Sequence, residues 1–302
     1  MEREISVSEF SAALLAIAQP LAAFEMPLLD AHGATLAENI YAGERLVLKA
    51  GSRIRSTQIG LAASIGLNRL PTRPHPRVVV ISAGDDLVEP GQRLRDHEDE
   101  FETNSWMLTT AVKEAGAMGY RVHTIPENSE QLRLIIEDQL VSADLIVISG
   151  ESHDESFDLI TSTLKELGDV ESVIPKLTDA GRHNFGTIGP DKTPVITLPG
   201  DPIAAYLSAE IFVRPMIRTM LGAANIYRTV IQAELTAPIE SKAGYTSLIR
   251  ASLDSGAKVT PLPEQELLST LSDAQGLIAL SADSTGAQAG DLVDVMVLER
   301  NQ

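Results

Sequence analysis

The stretch LPGDPIAAYLSAEIFVRP, Leu198 to Pro215, decides how the chain is read. Ahead of it runs Pro194-Val195-Ile196-Thr197, a short apolar segment that reads as a buried strand. Behind the Pro-Gly-Asp-Pro turn a helix is expected to start at Pro202. The fixed φ of proline is helical, and its absent N–H would be unpaired in a first turn anyway. Asp201 suits the capping position, because its carboxylate accepts the free amides of that turn. Gly200 lets the backbone approach a ligand closely or take an angle other residues avoid. A strand ending in such a turn is where open α/β sheets hold their ligand crevice. Taken alone, the same residues describe an ordinary tight strand-to-helix loop at least as well.

Outward from this unit the pattern repeats. Arg77 to Ser82 (RVVVIS), Tyr120 to Ile125 and Leu145 to Ser149 (LIVIS) read as strands, and Asn104 to Glu114, Ser129 to Leu140 and Phe157 to Leu167 as helices. Strands separated by helical stretches imply βαβ units and a largely parallel sheet. The stiff connector PTRPHP, Pro71 to Pro76, marks a boundary on the N-terminal side. Before it, Ser6 and Glu9 form a capping box that opens a helix with Phe10, Leu14 and Ile17 on one face. Arg45 to Ile54 reads as a hairpin turning at Lys49-Ala50-Gly51, and Ser56 as the cap of a short second helix closed by Gly66. Past Gly222 come five short strand-like runs, from TVIQAEL to LVDVMVL, which predict a small barrel-like β domain.

Composition narrows the function classes. The 302 residues are 44% hydrophobic and 22% charged, with a formal net charge of −18. Such an acidic balance argues against a nucleic-acid surface or an anionic membrane as partner. No apolar run reaches eighteen residues, so no membrane insertion is expected. The first residues, MEREISVSEF, lack the features of a secretory signal, and a cytoplasmic protein is the expectation. With no cysteine, disulfides, thiolate metal sites and cysteine nucleophiles are excluded.

Three runs finish at one edge of the inferred sheet: Ser82-Ala83-Gly84-Asp85-Asp86, Ser149-Gly150-Glu151 and Pro199-Gly200-Asp201. Converging hydroxyls, glycine amides and carboxylates there suit a polar small molecule. Acidic runs crowd the same rim, including Glu151, Asp154, Glu155 and Asp158 around His153. Coulomb repulsion makes that rim a poor cradle for an oxyanion. A solvated acidic loop outweighs a metal site at His153, and no metal ligand is assigned.

Taken in order, these segments resemble the molybdopterin molybdenumtransferase family, bacterial MoeA and the gephyrin E domain. The resemblance rests on PLLDAHGATLAENI, VLKAGSRIRSTQIGLAASIGL, VVVISAGDDLVEPGQ, ETNSWML, ADLIVISG, LPGDPIAAYLSAEIFVRP and the tail AGDLVDVMVL. It implies a helix over 1–25 packed on the α/β domain and a dimerisation domain over 26–73. A MoaB/MogA-like, three-layer molybdopterin-binding α/β domain would follow over 74–224, with a C-terminal β-barrel over 225–302. It further implies a homodimer and, if the family's activity is retained, molybdopterin and Mg²⁺. The residues it would place around molybdopterin are Ser82, Gly84, Asp85, Asn104, Ser105, Ser149, Gly150, Pro199, Gly200 and Asp201; Asp85, Asp86 and Asp158 would be the catalytic remnants.

The departures from the family point elsewhere. Between Ala42 and Gly43 the family carries an inserted domain with acidic segments that take part in the chemistry. Its two catalytic lysine positions, counted back without gaps from Phe185-Gly186, fall here on Ile174 and Thr178, with Lys176 and Arg182 as neighbouring cations. The family's second glycine after Ser149 is Glu151. Positioned cations supply much of the stabilisation in oxyanion chemistry, roughly 10²–10³ in rate for each lost donor. The expectation is therefore a non-catalytic, gephyrin-like homodimeric scaffold that binds a partner's linear peptide. The tail of the division protein FtsZ is the candidate partner, and Tyr245, Leu248, Leu277, Ile278 and Leu280 are the candidate groove. Barrel core is the competing reading of those five, and molybdate insertion is the competing function.

Overall fold

The central sheet consists of β1 (Arg3–Ile5), β2 (Arg77–Ala83), β3 (Met118–Thr124), β4 (Leu145–Ser149), β5 (Gly168–Pro175), β6 (His183–Ile188) and β7 (Thr193–Leu198), in the order β1-β5-β6-β7-β4-β2-β3. These and the following elements come from a computed structural model that describes residues 3–84, 87–94, 100–124, 128–150, 154–254, 256–263 and 268–298. Only β6 runs against the other six strands. Strands β4 and β7 are buried along their whole length, and β2 everywhere but Arg77. Burial on both faces is why their sequences run as unbroken apolar stretches rather than alternating.

Helices cover both faces. On one side lie α1 (Val7–Ile17), α3 (Asn104–Ala115) and the long C-terminal helix described below; α2 (Ser56–Ser64) belongs to the small N-terminal unit. On the other side lie α4 (Ser129–Leu140) and α5 (Asp154–Leu167). The two cores divide β2 by parity. Val78 and Val80 pack with Phe10, Leu108, Val112 and Phe212, whereas Val79 and Ile81 pack with Leu132, Ile136, Ile160 and Leu164. That alternation is the two-residue period of a strand. Ser6 and Glu9 cap α1 reciprocally, as the sequence indicates.

Strands β5 and β6 were not anticipated. Their faces carry Ser172, His183 and Asn184, residues that do not read as strand formers. Asn184 is fully buried yet satisfied: its N–H donates to Thr197 Oγ1 (2.6 Å), its Nδ2 to Thr161 Oγ1 (2.9 Å), and its Oδ1 accepts from Ser172 (2.6 Å). Such a network removes the penalty that an unpaired buried amide would carry.

The C-terminal helix is three pieces in one rod: α6 (Pro202–Ser208), a π turn (Ala209–Val213) and α7 (Arg214–Met220). Arg214 N–H bonds to Ala209 O, one residue further back than in an α-helix. The next residue is Pro215, which has no N–H to give. Widening the turn just before it absorbs the missing bond without breaking the rod.

The tail forms a closed barrel of β8 (Val230–Leu235), β9 (Ser247–Leu253), β10 (Lys258–Pro261), β11 (Gly276–Leu280) and β12 (Leu292–Val297), in the order β8-β10-β9-β11-β12. It docks on α6 through Leu207, Leu277 and Met296. A buried ion pair reinforces the joint. Glu210, in the π turn, accepts from Arg228 at 2.5 and 2.8 Å, and Arg228 also donates to Leu298 O at 2.7 Å.

The N-terminal unit differs from the sequence expectation at its hairpin. The paired strands are Ile40–Ala42 and Arg45–Leu48, closed by Gly43 (φ 61) and Glu44, instead of a hairpin turning at Lys49-Ala50-Gly51. Gly51 docks on the α/β unit, where a Cβ would meet Ala224 N at 2.8 Å. Helix α2 starts at Ser56, with Arg55 rather than Ser56 in the capping position.

Candidate functional site

The C-terminal ends of β2, β4 and β7 meet in one crevice. Ser82 and Ser149 are register partners on neighbouring strands, and both are buried. Helix α3 brings Asn104 onto them. Its Nδ2 donates to Ser149 Oγ at 2.9 Å and to the Gly200 carbonyl at 2.7 Å, while Ser149 Oγ donates to the Pro199 carbonyl at 3.2 Å. Three segments far apart in sequence are thus tied at one point. Among the described residues Asn104 Oδ1 is buried and has no partner. An orphaned acceptor in such a place asks for a donor.

The remaining crevice residues divide. Gly84 is buried at the end of β2, and Pro199 and Gly200 are partly buried. Asp201 is exposed and caps α6, its Oδ1 accepting from Ala204 N at 2.8 Å. Gly150 makes room for packing: a Cβ there would meet Ile160 Cδ1 at 2.7 Å. Asp158 is exposed on α5. Asp85, Asp86, Glu151 and His153 lie outside the described residues. Among the described residues no three His, Asp or Glu side chains converge as a metal site.

Ser105 is committed to structure. Its N–H and hydroxyl both donate to the buried Glu102 carboxylate, at 2.7 and 2.5 Å. Arg121 on β3 closes the cluster, bonding Glu102 (3.2 Å) and Glu89 (2.6 Å) with its guanidinium 4.2 Å above the Trp106 ring. Sequence reasoning missed this group. Its only signal was an acid three residues before Ser105 at a helix start.

Between the α/β unit and the barrel opens a cleft of about 970 Å³. Its floor carries a chain of hydroxyls: Thr178 Oγ1 to Ser247 Oγ at 2.8 Å, and Ser247 Oγ to Ser241 Oγ at 2.9 Å. Its cations come from the barrel side. Lys242 lies 3.8 Å from the Tyr245 ring centroid, and Arg250 donates to Thr270 at 2.7 Å. The two cations near the positions where the resemblance expects lysines are engaged elsewhere. Lys176 pairs with Glu4 (3.6 Å), and the Arg182 guanidinium sits 4.2 Å over the Phe157 ring.

Of the five proposed groove residues, Leu277, Ile278 and Leu280 are core. They are 0%, 0% and 7% exposed. Their strand, β11, turns Ile278 and Leu280 into the barrel interior and Leu277 onto α6. Leu248 lines the cleft, and Tyr245 donates to Glu4 at 3.4 Å.

Beneath the crevice, His183 is fully buried against Phe10 and Phe212, edge to face at 5.6 and 5.8 Å. Burial pushes its pKa down to about 4. The nearby Gly181 backbone offsets this slightly, yet neither ring nitrogen makes a hydrogen bond of normal geometry. The imidazole is therefore neutral at pH 7 and acts as an aromatic core residue.

Comparison with known proteins agrees with this architecture. A family described as "Probable molybdopterin binding domain" matches residues 79–219, and one described as "MoeA C-terminal region (domain IV)" matches 232–298. Molybdopterin molybdenumtransferase 1 of Mycobacterium tuberculosis is 31% identical over 266 residues, covering 85% of this chain and 62% of the relative. Molybdopterin molybdenumtransferase 2 of that organism is 33% identical over 267 residues, covering 85% and 65%. The chain thus spans a little under two thirds of the length of these relatives. A crystal structure of the molybdopterin biosynthesis MoeA protein of Pyrococcus horikoshii shares the fold, with a TM-score of 0.81 at 18% identity over 99% of this chain and 100% of that one. Among the described residues no helix is long and apolar enough to cross a membrane. With its two matched regions in the MoeA order, around one crevice and one barrel, the chain belongs to the MoeA family.

Proposed function

We propose that this chain works in molybdenum-cofactor biosynthesis, holding a molybdopterin ligand where the crevice opens into the cleft. The observation that carries the reading is the Asn104 junction. One amide ties Ser149 and Gly200 together and keeps an acceptor, Oδ1, buried beside them with no partner among the described residues. A pterin ring is rich in N–H donors and suits that acceptor. The hydroxyls of Thr178, Ser241 and Ser247 suit the polar remainder of such a ligand.

The reaction we assign is the one named for the relatives, molybdenum transfer to molybdopterin, performed by a homodimer. In this chain the cations facing the oxyanion are Lys242 and Arg250, because Ile174 and Thr178 stand where the family has lysines. The side chains described here do not by themselves form a Mg²⁺ site, and no step is assigned to that ion. The test is molybdate insertion into adenylated molybdopterin by the purified chain. Turnover that falls roughly 10²-fold or more in Lys242→Ala or Arg250→Ala is expected. Failure of the chain to bind molybdopterin at all would overturn the reading.

The loss of the two lysines favours a second reading, a non-catalytic dimeric scaffold for a partner's linear peptide. Saturable molybdopterin binding without turnover, together with partner capture that depends on Tyr245 and Leu248, is its expected signature.

A further inference from the structure

A second pocket, of about 310 Å³, lies between the N-terminal unit and the α/β unit at the opposite end of the sheet from the crevice. The chain has 24 Lys and Arg against 42 Asp and Glu, yet Arg53, Lys113, Arg218 and His75 all line this one space. Among the described residues the single carboxylate there, Glu114, pairs with Arg228 at 3.6 Å. Arg218 spends only Nε, on the Asn225 carbonyl at 3.2 Å. Among the described residues neither Arg53 nor Lys113 has an ion pair or a side-chain hydrogen bond.

The walls near the two guanidinium groups are bare backbone. A Cβ on Gly33 would lie 4.0 Å from Arg53 Nη2, and one on Gly116 would lie 3.9 Å from Arg218 Nη1. Both glycines hold left-handed φ angles, 87° and 108°, which side chains avoid. The cluster is electrostatically uncompensated. Burial, then repulsion from Arg214 and Arg53, holds Arg218 below the usual guanidinium pKa. An anion between like charges recovers that cost.

We propose that this pocket binds a phosphate group, free or as the end of a small ester, between Arg53 and Arg218, with Lys113 completing the positive rim. Donors arriving from three separate elements match a tetrahedral anion better than a single carboxylate, which one guanidinium fork satisfies. The volume lies at the lower end of small-ligand sites and leaves room beside the phosphate for a small ester group. The net charge of −18 disfavours a polyanion such as nucleic acid.

The test is calorimetric titration of the full chain with inorganic phosphate, then with glycerol 3-phosphate, at low ionic strength in an anion-poor buffer. One-to-one saturable binding is expected, weakened roughly tenfold or more by Arg53→Ala and by Lys113→Ala. Both residues are exposed, so both variants should fold, which circular dichroism checks. Arg133→Ala, which removes a remote surface pair with Glu137, should leave binding unchanged. Tighter binding of the ester assigns an ester ligand, and equal binding assigns free phosphate. No saturation, or affinity untouched by both Arg53→Ala and Lys113→Ala, overturns the proposal. The crevice residues are untouched in these variants, so failure here leaves the molybdopterin reading standing.

Discussion

At the C-terminal ends of β2, β4 and β7 the groups on offer among the described residues are hydroxyls, one amide and the Asp201 carboxylate. At the N-terminal ends of β2 and β3, roughly 20 Å away along the strands, they are guanidinium, ammonium and imidazole groups beside one carboxylate, Glu114, that pairs with Arg228. The strands between are nearly all apolar and would serve either end equally. The sheet fixes where segments meet, while the residues just beyond each strand fix the chemistry. Residues beyond the strand ends can therefore change while the sheet stays the same.

Four substitutions break or sharpen that contrast. The largest effect is expected from Glu210→Ala, which among the described residues leaves Arg228 with only the exposed Glu114 and the Leu298 carbonyl and loosens the barrel wall of the cleft. Removing one partner of a buried pair costs about 3–5 kcal/mol, read as a drop in the urea midpoint. His183 comes next. The unfolded chain takes up a proton near pH 6.5 but the native chain only near 4, so stability is complete above 6.5 and falls as pH drops through that window. The loss amounts to roughly 3 kcal/mol at most. His183→Leu should flatten the pH dependence of the melting temperature between 4 and 6.5, whatever it does to stability at pH 7. Asn104→Ala unties the crevice junction and should cost about 1–3 kcal/mol, with molybdopterin affinity falling while phosphate binding at the far pocket is unchanged. The smallest effect belongs to Asp201→Ala, the loss of a helix cap, at about 1 kcal/mol; a larger loss of ligand affinity than of stability would mean that Asp201 also touches the ligand.

Much of this was legible in advance. Runs such as RVVVIS and LIVIS declare buried parallel strands because nothing polar interrupts them, and Pro202 after Asp201 declares a helix start. The five short strands of the tail pointed to a barrel, and a closed one forms. What escaped was structure that depends on distant partners. β5 and β6 hide behind His183 and Asn184, whose polarity is cancelled only by Thr161, Ser172, Thr197 and an aromatic wall. Leu277, Ile278 and Leu280 could not be assigned to core or groove, because alternation gives a face but not what covers it. The crevice serines and Asn104 were found by motif, but that Ser105 answers to Glu102 emerges only from the geometry. The basic pocket has no motif at all, since Arg53, Lys113 and Arg218 are brought together only by the docking of two units.

The hairpin at Gly43 and Glu44 has one more consequence. Ala42 and Arg45 are paired across it, so the chain leaves and returns within about 5 Å. Any folded unit whose own two ends meet at that distance can be spliced into or out of this turn without moving either strand. The turn is a ready-made port, through which a family built on this frame can gain or lose a whole module in a single event.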